Sequence, residues 1–85
     1  MSDIDQNEQR RFQFLRAVYD LANGTSSLSV RGLDVAERLG LDLKSQEFHD
    51  LARHHEVAGN TRAIETNWGT FRITNKGIAE VESQR

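Results

Sequence analysis

The sequence predicts a single α+β domain over residues 1–85: a three-helix core, a β-hairpin and a short C-terminal helix, with residues 1–5 disordered. Three observations carry this. Apolar residues recur at helical spacing over about 6–22, and again in two segments joined by the Leu39-Gly40-Leu41 turn. The stretch Arg62–Gly77, RAIETNWGTFRITNKG, reads as two short strands around a turn that run straight into a helix start. The chain of 85 residues has no repeat, no proline and no cysteine, which is enough length for one core and leaves no disulfide or thiolate metal site.

The first helix, about 6–22, places Phe12, Leu15, Tyr19 and Ala22 on one stripe, widened by Phe14, Val18 and Leu21. Gly24 after Asn23 is its natural stop. Leu28-Ser29-Val30 alternates like a very short strand. The second helix, about 31–39, has Leu33, Ala36 and Leu39 as its expected buried face, with Gly40 in the left-handed cap position and Leu41 as its hydrophobic contact. The third helix, about 45–57, starts at Ser45 as N-cap and turns Phe48, Leu51, Ala52 and His55 inward. Its outward face is Gln46, His49, Asp50 and Arg53.

For the hairpin 62–74, keeping apolar residues on one side sets Ile64 opposite Ile73 and Thr66 opposite Phe71. Glu65 then faces Arg72 as a charge pair, and Asn67-Trp68-Gly69-Thr70 forms the turn. Thr74 or Asn75 caps a last helix whose inward residues are Ile78 and Val81.

Hydrophobic residues make up 36% and charged residues 28% of the chain, the balance of a globular protein without a membrane span, and the expected location is the cytoplasm. The net charge is −2, yet residues 44–76 carry five cations against four acids and form the one net positive region. No glycine-rich phosphate loop and no nucleophile–base arrangement is present, so catalysis is not expected, nor is a cofactor. His49, His54 and His55 lack the i, i+4 spacing of a helical metal pair, so no metal is expected; His55 reads as half-buried.

On Ala36-Glu37-Arg38-Leu39-Gly40-Leu41, on Phe48, Leu51 and Val57, and on Phe71-Arg72-Ile73-Thr74-Asn75-Lys76-Gly77, the chain resembles the winged helix-turn-helix superfamily of small prokaryotic DNA-binding regulators. The resemblance spans about two-thirds of the chain (28–81). It implies that the third helix enters the major groove of double-stranded DNA while the hairpin acts as a wing. Carried over, the groove-facing residues are Ser45, Gln46, His49 and Arg53. The wing residues are Arg62, Trp68 and Arg72, and the phosphate contacts are Lys44 and Lys76.

Each assignment has a plainer counterpart. Arg53 pairs with Asp50 on a solvated face, Trp68 folds back over the hairpin, and Arg10, Arg11 and Arg16 form a solvated helix face instead of flanking phosphates. A homodimer is expected to add cations to a weakly basic surface, with Phe14, Tyr19, Ile78 and Val81 as contributors. The alternative function is a protein-interaction adaptor without DNA binding, favoured by Glu47, Asp50, Glu56, Trp68 and the net charge. The discriminating feature is whether Arg53 and Lys44 have acidic partners.

Overall fold

A computed structural model describes residues 3–64 and 69–84. They form four helices and a three-stranded antiparallel sheet: α1 (Asp3–Leu21), β1 (Val30–Arg31), α2 (Gly32–Leu39), α3 (Gln46–Val57), β2 (Thr61–Ala63), β3 (Thr70–Ile73) and α4 (Asn75–Ser83), with sheet order β1-β3-β2. The α+β class is as expected. Helix α1 begins at Asp3.

Local chemistry sets the element ends. Ser45 Oγ accepts from the Phe48 N–H at 3.2 Å, satisfying one of the unpaired donors at the start of α3. Thr74 Oγ1 does the same for the Gly77 N–H at 3.1 Å and caps α4. Helix α2 ends on Gly40 at φ 70°, with the Gly40 N–H on Glu37 O and the Leu41 N–H on Ala36 O. That is the paired-bond C-terminal motif in which a left-handed residue lets the chain turn back on the last carbonyls. Leu41 then packs against the core.

The phase of α2 differs from expectation. Gly32, Val35 and Ala36 are buried and Leu39 is partly buried, whereas Leu33 is 48% exposed. The helix starts one residue later than expected. Its N-terminus is held by the Gly32 N–H donating to Gly69 O at 3.0 Å, so the inward stripe runs 32, 35, 36, 39.

The hairpin register is also corrected. Thr61 stands opposite Ile73, Arg62 opposite Arg72, and Ala63 opposite Phe71. Ile64 is therefore not opposite Ile73, and Arg72 faces another arginine instead of Glu65. The shift is three residues. An odd shift moves every β2 side chain to the other face, and Ile64 ends 48% exposed. The cause lies just before the strand: the Thr74 N–H donates to Asn60 O at 2.9 Å, which pins the pairing directly at the end of α3. Glu65, Thr66, Asn67 and Trp68, expected in the strand and turn, lie outside the described residues.

Phe14 of α1 sits at the centre of the core. Its ring lies 5.5 Å from Phe48, 5.4 Å from the His55 ring in a stack, and 6.0 Å from Phe71. Leu15, Val18, Val35, Leu51, Ile73 and Val81 close around this group. Phe14, Tyr19 and Val81 are thus core residues and cannot form the dimer surface expected of them, while Ile78 is partly buried against the core. Tyr19 also donates to Glu82 Oε2 at 2.9 Å, tying α1 to α4.

Helix α4 approaches the end of α3 closely because residue 77 is glycine. A Cβ there would lie 2.3 Å from Asn60 O and 2.8 Å from Ile73 Cγ1. Gly77→Ala is therefore expected to destabilise the fold by about 1–3 kcal/mol through forced backbone shifts. Phe14→Ala is expected to cost about 3–5 kcal/mol. Both are read by urea unfolding followed by circular dichroism, and a near-neutral Phe14→Ala would contradict the central placement of that ring.

Candidate functional site

Helix α3 presents its solvent side between two kinds of anchor. Its N-terminal side is fixed by Ser45, whose Oγ also donates to Asp42 O at 2.7 Å, so this hydroxyl is used twice in building the helix start. Its inward side is fixed by Phe48, Leu51, Ala52 and His55. What remains outward is Gln46, Glu47, Asp50, Arg53, Glu56 and Val57, with His49 half-buried and edge-on to Phe48 at 6.4 Å.

The charges on this face sort themselves by pairing. Arg10 of α1 reaches Glu47 Oε2 at 2.9 Å. Gln46 Nε2 donates to Asp50 Oδ1 at 2.8 Å, so Asp50 is engaged by an amide and not by Arg53. Farther off, Arg16 at 3.2 Å and Arg38 at 3.9 Å share Asp20. Arg53 and Lys44 are exposed, and among the described residues neither side chain has an acidic partner. Each exposed ion pair contributes little to stability; at α3 the Arg10–Glu47 pair neutralises one acid, while Asp50 keeps its charge and Glu56 is exposed with no basic partner among the described residues.

Lys76 lies elsewhere. Its ammonium donates to Ala58 O, the carbonyl just past the C-terminal end of α3, where a cation complements the helix dipole. Lys44 is at the opposite end of this 12-residue helix, about 18 Å away along the axis. The two lysines therefore do not share one site. Trp68 lies outside the described residues.

The sheet carries a second group of cations. Side chains alternate across a strand, and Phe71 and Ile73 point into the core, so Thr70 and Arg72 point away from it. Arg62 stands directly opposite Arg72 on that outer face. On the other side of Arg72, continuing the Val30–Phe71 and Arg31–Thr70 pairing by one residue brings Ser29, whose hydroxyl accepts from Arg72 Nε at 3.4 Å. Arg31, beside Thr70, belongs to the same outer face, and its guanidinium forks onto Asp34 at 3.1 and 3.3 Å. Sequence reasoning missed Arg31; the Ser29-Val30-Arg31 alternation was its only signal.

Beneath α3 lies a buried polar pair. His55, 4% exposed, has Nε2 at 2.6 Å from Arg11 O and Nδ1 at 3.1 Å from Asn60 Nδ2. A carbonyl only accepts and an amide nitrogen only donates, so Nε2 carries the proton and Nδ1 presents its lone pair. The ring is therefore fully buried, beyond the half-burial expected. Burial pushes its pKa down to about 4, opposed by the hydrogen bond to Arg11 O and reinforced by the neighbouring His54 and Arg11. The pKa of His54 is lowered too, by burial and then by Arg11. Asn60 Oδ1 is buried with no hydrogen-bond partner among the described residues.

Among the described residues no three His, Asp or Glu side chains gather as a metal site, and no helix is long and apolar enough to cross a membrane. The chain matches no family model, and neither a curated protein nor a solved structure matches it.

The His55 geometry has a pH consequence. The folded pKa lies below the unfolded one near 6.5, so the unfolded chain takes up the proton first. The contribution of His55 is constant above about pH 6.5, is lost as pH falls through the window down to about 4, and levels off below it. Relative to His55→Gln, the wild type is expected to lose on the order of 3 kcal/mol across that window, measured by urea midpoints at several pH values. Parallel pH profiles for the two proteins would refute the neutral, buried assignment.

Proposed function

We propose that this chain is a winged helix-turn-helix domain that binds double-stranded DNA, with α3 in the major groove and the β2–β3 hairpin as the wing. The observation that carries the reading is the charge state of the outward face of α3. Arg53 and Lys44 are exposed without acidic partners among the described residues, while Glu47 is held by Arg10 and Asp50 by Gln46. The order helix, strand, two helices joined by a tight Gly40 turn, hairpin and helix agrees with it, as does the β1-β3-β2 sheet. In such a geometry Arg53 reads a guanine edge through its forked donors, and Lys44 contacts a phosphate at the helix start.

Gln46 enters this scheme only by exchanging Asp50 for a base edge, and Ser45 acts through the helix cap. His49 lines the rim. With so few unpaired cations one domain binds weakly, and a homodimer remains the proposed route to higher affinity. The competing adaptor reading draws on Val57, which is 80% exposed near the end of α3, and on Leu33 and Ile64.

The test is a fluorescence-anisotropy titration with random-sequence duplex at low and moderate salt. Affinity is expected to fall as salt rises, because bound cations release counterions. Arg53→Ala is expected to cost about 1–3 kcal/mol on a selected site and to relax preference at one base pair. No binding at low salt refutes the DNA reading and favours the adaptor, for which Val57→Lys should then abolish capture of a partner.

A further inference from the structure

We propose that the outer face of the sheet is a phosphate-binding site in which Arg62 and Arg72 clamp one phosphate group, independently of α3. Three observations converge on it. First, the two arginines are direct cross-strand neighbours on the face turned away from the core, and both are exposed. Like charges placed directly opposite destabilise a sheet, so a hairpin that served only the fold would gain by avoiding them.

Second, neither guanidinium has an acidic partner among the described residues. Arg72 has the Ser29 hydroxyl at 3.4 Å, a long bond that leaves its other donors unused among the described residues, and Asp34 is already forked by Arg31. Third, the pair lines a concavity of about 620 Å³ together with Ser26 and the exposed Ile64. That volume falls in the range of small-ligand sites. An open sheet face would otherwise be flat, and the concavity gives an anion walls on more than one side.

The chemistry fits a phosphate. Each guanidinium offers planar, parallel N–H donors matched to two oxygens, and a phosphate has enough terminal oxygens for two such forks. The anion neutralises the mutual repulsion of the pair, so its binding also stabilises the hairpin. Ile64 offers an apolar wall beside the charges, suited to the organic part of a phosphate ester. The phosphate comes either from a free phosphate or ester or from a nucleic-acid backbone, and the two sources present the same oxygens to the clamp.

The experiment uses the full chain, isotopically labelled, with inorganic phosphate titrated at constant ionic strength maintained by chloride. The side-chain Nε–H signals of Arg62 and Arg72 are expected to shift saturably, and the thermal midpoint to rise. Arg62→Gln is expected to weaken phosphate at least about tenfold and to abolish the thermal gain, without lowering the midpoint in chloride. Arg53→Ala should leave the phosphate response intact, so that failure of the α3 reading and failure of this one are separable.

Random-sequence duplex is then added to the phosphate-saturated protein. Displacement of phosphate at these two signals supports the clamp and identifies a backbone phosphate as an occupant. Duplex that leaves them unmoved supports the clamp with a free phosphate or ester as its source. The proposal is overturned if chloride alone reproduces the shifts, or if Arg62→Gln retains them.

Discussion

The fold turns on the ring of Phe14. It arrives from α1, stacks on His55, tilts against Phe48 and faces Phe71, and so joins the first helix, the third helix and the central strand at one point. Aromatic pairs at such separations add to the free energy of burial and prefer defined angles. The ring therefore fixes orientation as well as contact. With Phe48 and His55 turned inward against it, the rotation of α3 about its axis is set, and Gln46 and Arg53 face solvent. The residues proposed to meet DNA owe their direction to a contact on the opposite side of the helix.

Asn60 adds a polar constraint to that apolar centre. Its carbonyl accepts the Thr74 N–H, its amide nitrogen donates to His55, and its backbone lies where a side chain on residue 77 would be. One residue thereby ties the end of α3 to the start of α4 and sets where β2 begins. The cost is an amide oxygen buried without a partner among the described residues and a histidine kept neutral below its ordinary titration range. Buried polar groups of this kind give specificity at the expense of stability in acid.

Net charge is a poor guide to this surface. The chain is formally −2, but its acids are not evenly available. Glu47, Asp20 and Asp34 are held by arginines, whereas among the described residues Lys44 just before α3, Arg53 on it, Arg62 and Arg72 on the sheet, and Arg11 and Lys76 have no acidic partner. The two proposed sites draw on different members of this set, Lys44 and Arg53 for one and Arg62 and Arg72 for the other. The strand pair is energetically unfavourable within the fold.

Whatever depended on neighbours within a few residues was determined by the sequence itself. The helices at their approximate places, Ser45 and Thr74 as caps, Gly40 as the left-handed stop and the inward run Phe48, Leu51, Ala52 all follow from local hydrogen bonding and helical spacing. Tertiary contacts decided the rest. The strand register was set by the Thr74–Asn60 bond at the end of α3, not by the apolar residues of the hairpin, which is why Ile64 faces out and Arg62 meets Arg72. The phase of α2 was set by the Gly32 N–H bonding to Gly69 O just before β3. Phe14, Tyr19 and Val81 showed in sequence only as apolar stripes, and a stripe does not say whether its own core or a second chain covers it. Which cations stay unpaired was likewise decided in three dimensions, because Arg10 and Glu47 are far apart in the chain and meet only when α1 packs on α3.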